Sequence, residues 1–214
     1  AVARRRGELD HGGIRMQAER LGPDARGELR AGRVRRAVLR ERAREVAEVI
    51  AGGEPVCVVT SGAIALGLRT LGLERRPREV PQLQAASALG QAQLQHAWDI
   101  EFRKHRVPAA QVLLTAHDVA DRASYLHARN AFTALFKLGA VPIVNENDTT
   151  ATDEIKFGDN DALAAQVAVL VQARLLVLLT EVDGVYTRAP GTPGAEVVRE
   201  LGFDAPGEAG VEIG

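Results

Sequence analysis

Apolar residues along the chain fall into two rhythms that alternate. Over residues 34–50, Val38, Val46, Val49 and Ile50 sit among Arg and Glu at helical spacing, and Gly52-Gly53 close the segment. Val56-Cys57-Val58-Val59-Thr60 is then a continuous, β-branched apolar run, as in a strand buried on both faces of a parallel sheet. Ser61-Gly62 turn into a helical segment over 63–71. A longer helix is predicted over 83–105, with Leu89, Leu94, Trp98 and Phe102 as one buried stripe. Val112-Leu113-Leu114 reads as a short strand, and 123–138 as a helix ended by Gly139. Val141-Pro142-Ile143-Val144 is the next strand and 161–173 the next helix. Arg174-Leu175-Leu176-Val177-Leu178-Leu179-Thr180 reads as the clearest buried strand of all. Residues 1–30, with Gly12-Gly13, Gly22-Pro23 and Gly27, show no clean period and read as irregular, and the Gly- and Pro-rich tail after Tyr186 reads as loop or hairpin.

Strands alternating with helices at this spacing predict an α/β fold with a mostly parallel sheet covered on both faces and right-handed crossovers. In such sheets ligands sit beyond the carboxyl ends of the strands. Three predicted strand ends carry small or polar groups: Thr60-Ser61-Gly62, Asn145-Glu146-Asn147-Asp148 and Thr180-Glu181. They are expected to converge on one rim.

Composition narrows the function classes. At 214 residues, 46% hydrophobic and 26% charged, the chain is of ordinary globular type, with no apolar run near the roughly 18 residues of a membrane helix. The Arg-rich start lacks an adjoining apolar segment, unlike a secretory signal. The single Cys57 excludes an intramolecular disulfide and Cys-pair metal sites, and cytoplasm is the expected compartment. Residues 1–44 hold 13 Arg against 6 Asp and Glu, so a basic arm precedes an acidic remainder. Without interleaved aromatics, that arm reads as a solvated face before it reads as a nucleic-acid binder. Only Lys104, Lys137 and Lys156 occur, which excludes the GxxxxGK[ST] phosphate loop, and GxSxG, GxGxxG and HExxH are absent too.

Each strand end has a chemical reading beside a plain one. Ser61-Gly62 expose backbone N–H groups at a helix start, where an anion is favoured; the plain reading is an N-cap serine. Asp159-Asn160-Asp161 exceed what one cap needs, and their oxygens suit Mg²⁺ or an ammonium group, although Asp and Asn are also standard helix starters. Lys156 pairs with a phosphate or merely neutralises its acidic neighbours. Thr180-Glu181-x-Asp183-Gly184-x-Tyr186 suits a turn leaving a strand. Trp98 and Phe102 read as core.

Taken together, Val-Thr-Ser-Gly-Ala-Ile-Ala-Leu-Gly (59–67), Gln-Ala-Ala-Ser-Ala-Leu-Gly-Gln (84–91), Asn-Glu-Asn-Asp…Glu-Ile-Lys-Phe-Gly-Asp-Asn-Asp (145–161) and Leu-Leu-Thr-Glu-Val-Asp-Gly-Val-Tyr (178–186) closely resemble the glutamate 5-kinase branch of the amino acid kinase family. The resemblance implies a three-layer αβα sandwich. It also implies ATP-dependent phosphorylation of the γ-carboxylate of L-glutamate to γ-glutamyl phosphate, the first step of proline biosynthesis, with ATP and Mg²⁺ as cofactors. By the same resemblance Ser61, Gly62, Asp148 and Asn160 contact glutamate, and Asp161 orients the catalytic lysines. Asp159, Lys156 and Asn145 stand as support. Thr180 and Glu181 match a nucleotide-contacting pair that is usually Thr-Asp. Proline as feedback inhibitor and a dimer or tetramer are further implications.

Two departures from the family pattern shape the expectations. Glutamate kinases begin with a strand ending in a Lys-x-Gly-Ser/Thr turn whose lysine contacts the transferred phosphoryl group, yet no lysine precedes Lys104. Residues 1–23 therefore read as irregular and unlike the family, and 24–214 as a partial kinase domain. The Gly-Thr-Gly-Gly-Met…Lys nucleotide loop and the RNA-binding-like C-terminal domain are unmatched. The chain is expected to turn over little, and without a first strand a central neighbour is expected to present an unpaired edge. The alternatives are a module that binds glutamate or proline without turnover, and a basic-arm nucleic-acid binder.

Overall fold

The computed structural model describes residues 36–73, 75–151, 160–179, 184–188 and 191–199, and the backbone of residues 15–19. In chain order the elements are β1 (Arg15–Glu19), α1 (Arg36–Ala51), β2 (Val56–Thr60), α2 (Ala63–Thr70), α3 (Val80–Arg103), β3 (Ala109–Leu114), α4 (Ala116–Ala120), α5 (Arg122–Lys137), β4 (Val141–Glu146), α6 (Asn160–Leu170), β5 (Leu175–Leu179), β6 (Val185–Tyr186) and β7 (Val197–Val198). The first five strands form one parallel sheet in the order β3-β4-β2-β1-β5. β6 and β7 pair antiparallel, so the tail contains the expected hairpin.

Strand alternation divides the core into two layers. Val56 and Val58 of β2, with Val141 and Ile143 of β4, pack with Leu39, Ala43 and Val46 of α1 and Leu94, Trp98 and Phe102 of α3. The intervening Cys57, Val59 and Val144 face the other way, onto Phe132 of α5 and Leu163, Val167 and Leu170 of α6. Every residue of β2 and β4 is buried, as strands covered by helices on both faces require. Pro142 lies inside β4, and the ladder from β4 to β2 begins just after it, at Ile143 and Val144, because proline has no N–H to give.

Four expectations are corrected. Arg15–Glu19 is a strand, not irregular chain, and it fills the centre of the sheet, pairing with both β2 and β5. No central edge is left open there; two neighbouring ladders impose a conformation that the local pattern barely encodes. β5 is only half-buried along its length because it stands at one end of the sheet among the described residues. Leu89 is exposed at 43%, whereas Leu94, Trp98 and Phe102 are fully buried. Five residues separate Leu89 from Leu94, which turns it well off the stripe at 3.6 residues per turn.

Helices α2 and α3 touch backbone to backbone. A Cβ added at Gly67 would lie 1.7 Å from the Ala86 carbonyl oxygen, and one at Gly90 would lie 1.8 Å from that of Ala63. Only glycine permits this approach, and it brings the N-terminus of α2 against the N-terminal half of α3.

Candidate functional site

Because the five strands are parallel, the ends of β2 at Thr60, β4 at Glu146 and β5 at Leu179 lie on one edge of the sheet. β2 and β4 are direct neighbours, with Val59 opposite Val144, so Thr60-Ser61-Gly62 emerge beside Asn145. Gly62 adopts φ 103°, a left-handed conformation that favours glycine, and it is the N-cap of α2 without a side-chain capping bond. The N-cap position is therefore held by Gly62 and not by Ser61.

The alternation that builds the core also aims the polar ends. Thr60 continues the row of Val56 and Val58, and Asn145 that of Val141 and Ile143, so both turn toward α3. There the Trp98 indole N–H reaches Thr60 Oγ1 at 3.4 Å. Asn145 Nδ2 donates to Gln91 Oε1 at 2.7 Å, with both residues buried.

Beyond β4 the chain folds into a turn closed by its own backbone. Asn147 N–H bonds the Leu114 carbonyl at 2.9 Å and Ala151 N–H the Asn147 carbonyl at 3.0 Å. The Thr149 hydroxyl donates to Asn147 Oδ1 at 2.6 Å. The turn presents Asp148, 6% exposed, to α3, where the Ser87 hydroxyl donates to its Oδ2 at 2.6 Å. Gln84 Nε2 holds the Ala151 carbonyl at 3.3 Å. Burial pushes the Asp148 carboxyl above the ordinary carboxylate range, against the opposing pull of the Ser87 hydroxyl and the Arg76 charge.

Asn160 and Asp161 open α6, which packs through Leu163 and Val167 on the opposite face of the same strands. Asn160 is buried and its Oδ1 has no partner among the described residues, as is also true of Gln91 Nε2. A buried amide oxygen without a donor costs on the order of 1–3 kcal/mol unless something else supplies the bond. Asp161 is half-buried in the first helical turn. Among the predicted site residues, Lys156, Asp159, Thr180 and Glu181 lie outside the described residues.

The structure thus brings Ser61, Gly62, Asn145 and Asp148 to the joint rim of β2 and β4. It adds three residues to which the sequence reading gave no role: Gln84, Ser87 and Gln91. Their spacing of i, i+3 and i+7 is the legible signal, a polar row on the helical face that continues as Leu94 and Trp98. Among the described residues no group of three or more His, Cys, Asp or Glu is placed to hold a metal ion. Cys57 is buried in the core, away from any such role.

Comparison with known proteins agrees with this arrangement. The chain is 49% identical over 166 residues to a glutamate 5-kinase of Aromatoleum aromaticum, covering 77% of this chain and 45% of that relative. It is 48% identical over 179 residues to glutamate 5-kinases of Burkholderia mallei and Burkholderia pseudomallei, covering 80% of this chain and 48% of each. The chain spans about half the length of these curated relatives. The model of the amino acid kinase family matches residues 23–212, which take in both layers of the core and the whole polar rim. A parallel sheet between helical layers is consistent with that match, and the chain belongs to the amino acid kinase family.

Proposed function

We propose that this chain carries the acceptor side of a glutamate 5-kinase. It holds L-glutamate at the ends of β2 and β4 so that ATP phosphorylates the γ-carboxylate, giving γ-glutamyl phosphate. The observation that carries the reading is Asp148, a buried carboxylate held by Ser87 beside the Asn145–Gln91 pair. A buried anion among amides suits a zwitterion: Asp148 attracts the α-ammonium, while N–H groups at the Ser61-Gly62 turn favour a carboxylate. Asn160 Oδ1, without a partner among the described residues, offers a further acceptor.

Phosphoryl transfer asks the protein chiefly for in-line positioning and for neutralisation of charge on the moving oxygens. In this reading the rim fixes the γ-carboxylate, Thr180 and Glu181 follow β5 toward the nucleotide, and Asp161 orients cationic groups. Mg²⁺ would arrive with the nucleotide phosphates and neutralise part of their charge. A second reading, binding without turnover, is favoured by one observation: β1, the strand that fills the first-strand slot, contains no lysine. The basic-arm reading gains nothing from α1, where Arg42 and Arg44 pair with Glu45 and Glu48 of the same helix.

Calorimetry of L-glutamate binding to residues 1–214 and to Asp148→Asn tests the proposal. Saturable binding by the wild type, weakened at least tenfold in the variant, is expected. Equal affinity in both would refute it. A parallel assay of glutamate-dependent ADP release separates the kinase from the binding-only reading.

A further inference from the structure

We infer that Ser87 is a positioning residue for Asp148, and that with Gln84 and Gln91 it makes the N-terminal half of α3 a polar template that presets the β4 rim. The inference rests on the reading of Asp148 as a ligand for an amino acid, and it deepens that reading by assigning a function to the residue that holds the carboxylate. Three consecutive features of the rim are each held by one side chain of α3. Gln91 bonds Asn145 at the end of the strand, Ser87 bonds Asp148 in the turn, and Gln84 bonds the Ala151 carbonyl where the turn ends. Their i, i+3, i+7 spacing lays them along one face of the helix, which runs antiparallel to the chain they hold.

The helix is itself fixed from the other side. The Gly67 and Gly90 contacts lock it to α2, whose N-cap Gly62 stands at the β2 end of the same rim. Template and rim are thus tied at both strands.

Ser87 acts on Asp148 in two ways. Its hydroxyl donates to Oδ2, which fixes the carboxylate plane and leaves Oδ1 as the oxygen for a ligand. A hydroxyl that donates to a carboxylate also favours the charged form, opposing the burial that disfavours it. From the segment leading into α3, Arg76 is the charged group that acts in the same direction. Ser87 therefore favours the charged form of a buried acid without neutralising that charge, whereas a salt bridge would neutralise it. An anion left with net charge is what an incoming ammonium requires.

The test is a pH titration of the Asp148 side-chain carboxyl carbon by NMR in the 214-residue chain, as wild type, Ser87→Ala and Ser87→Thr. Ser87→Ala is expected to titrate at higher pH than wild type, and Ser87→Thr, which keeps the hydroxyl, close to wild type. If the alanine variant does not fold, Ser87→Cys, nearly isosteric with a weak donor, replaces it and is expected to shift in the same direction. Coincident titration of wild type and the folded variant overturns the inference, whether or not glutamate binds. With L-glutamate added, the acid limb of affinity is expected to move upward with the carboxyl, and affinity near neutral pH to fall on the order of tenfold. Failure of the wild type to bind glutamate would instead sink the acceptor-site reading and leave the titration to decide the role of Ser87.

Discussion

Gly67→Ala inverts the usual consequence of placing alanine in a helix. Gly67 lies inside α2 and is buried, and its φ is not among the positive ones. Helix propensity alone therefore predicts that alanine stabilises the protein by about 0.5–1 kcal/mol. The contact with α3 predicts the opposite. The new Cβ would lie 1.7 Å from the Ala86 carbonyl oxygen and 2.5 Å from its carbonyl carbon, where real Cβ atoms essentially never come within 3.0 Å. The colliding atoms are backbone, so no rotamer change relieves them, and α2 must move from α3 by more than an ångström. Overpacking of this kind costs about 1–3 kcal/mol, enough to outweigh the propensity gain. Urea unfolding followed by circular dichroism measures the net effect as a lowered midpoint at unchanged slope. The same displacement carries the Ser61-Gly62 turn away from the β4 rim, so glutamate affinity is expected to fall in the folded variant. A midpoint at or above wild type, with unchanged affinity, would refute the claim that this crossing sets the site.

Three further outcomes follow from particular side chains. Trp98→Phe keeps most of the fully buried ring, stacked 5.6 Å from Phe102, but removes the donor to Thr60; a loss of about 1–3 kcal/mol in denaturant unfolding is expected, and an unchanged midpoint would contradict it. Asp148→Asn should change how stability depends on pH. The folded-state pKa of Asp148 is raised, so its native form holds more protons than its unfolded form, and wild-type stability declines as pH rises from the ordinary carboxylate value through the raised one. The variant lacks that decline and gains on wild type across the window; parallel curves would show that burial does not perturb this group. Cys57 is fully buried, and burial lifts its thiol far above the ordinary range, so a thiol reagent should label it only on unfolding. Rapid labelling of the native chain would contradict the packing of β2.

Elements defined by their own side chains were legible in the sequence. β2 and β4 are apolar runs because both faces are covered, and α1, α3 and α5 carry stripes at helical spacing. What escaped depends on partners distant in the chain. Arg-Met-Gln-Ala-Glu offers only Met16 and Ala18 as apolar alternation, and it is a strand because β2 and β5 flank it. The apolar run of β5 signals a strand but not its place at one end of the sheet, which strand order decides. Within the site, Ser61, Gly62, Asn145 and Asp148 were visible as polar groups at predicted strand ends. Ser87 and Gln91 were not, since a serine and a glutamine inside an amphipathic helix look like solvent-facing residues until the helix is docked. Their phase with Leu94 and Trp98 is the available clue, and the apolar Leu89, which lies off that face, masks it.

The most direct measurement of the central claim is a crystal structure of the chain grown with L-glutamate. The account predicts the amino acid at the joint ends of β2 and β4, its ammonium within hydrogen-bond distance of Asp148 and a carboxylate near the Ser61-Gly62 turn. Glutamate bound elsewhere, or at this rim without contact to Asp148, would contradict it.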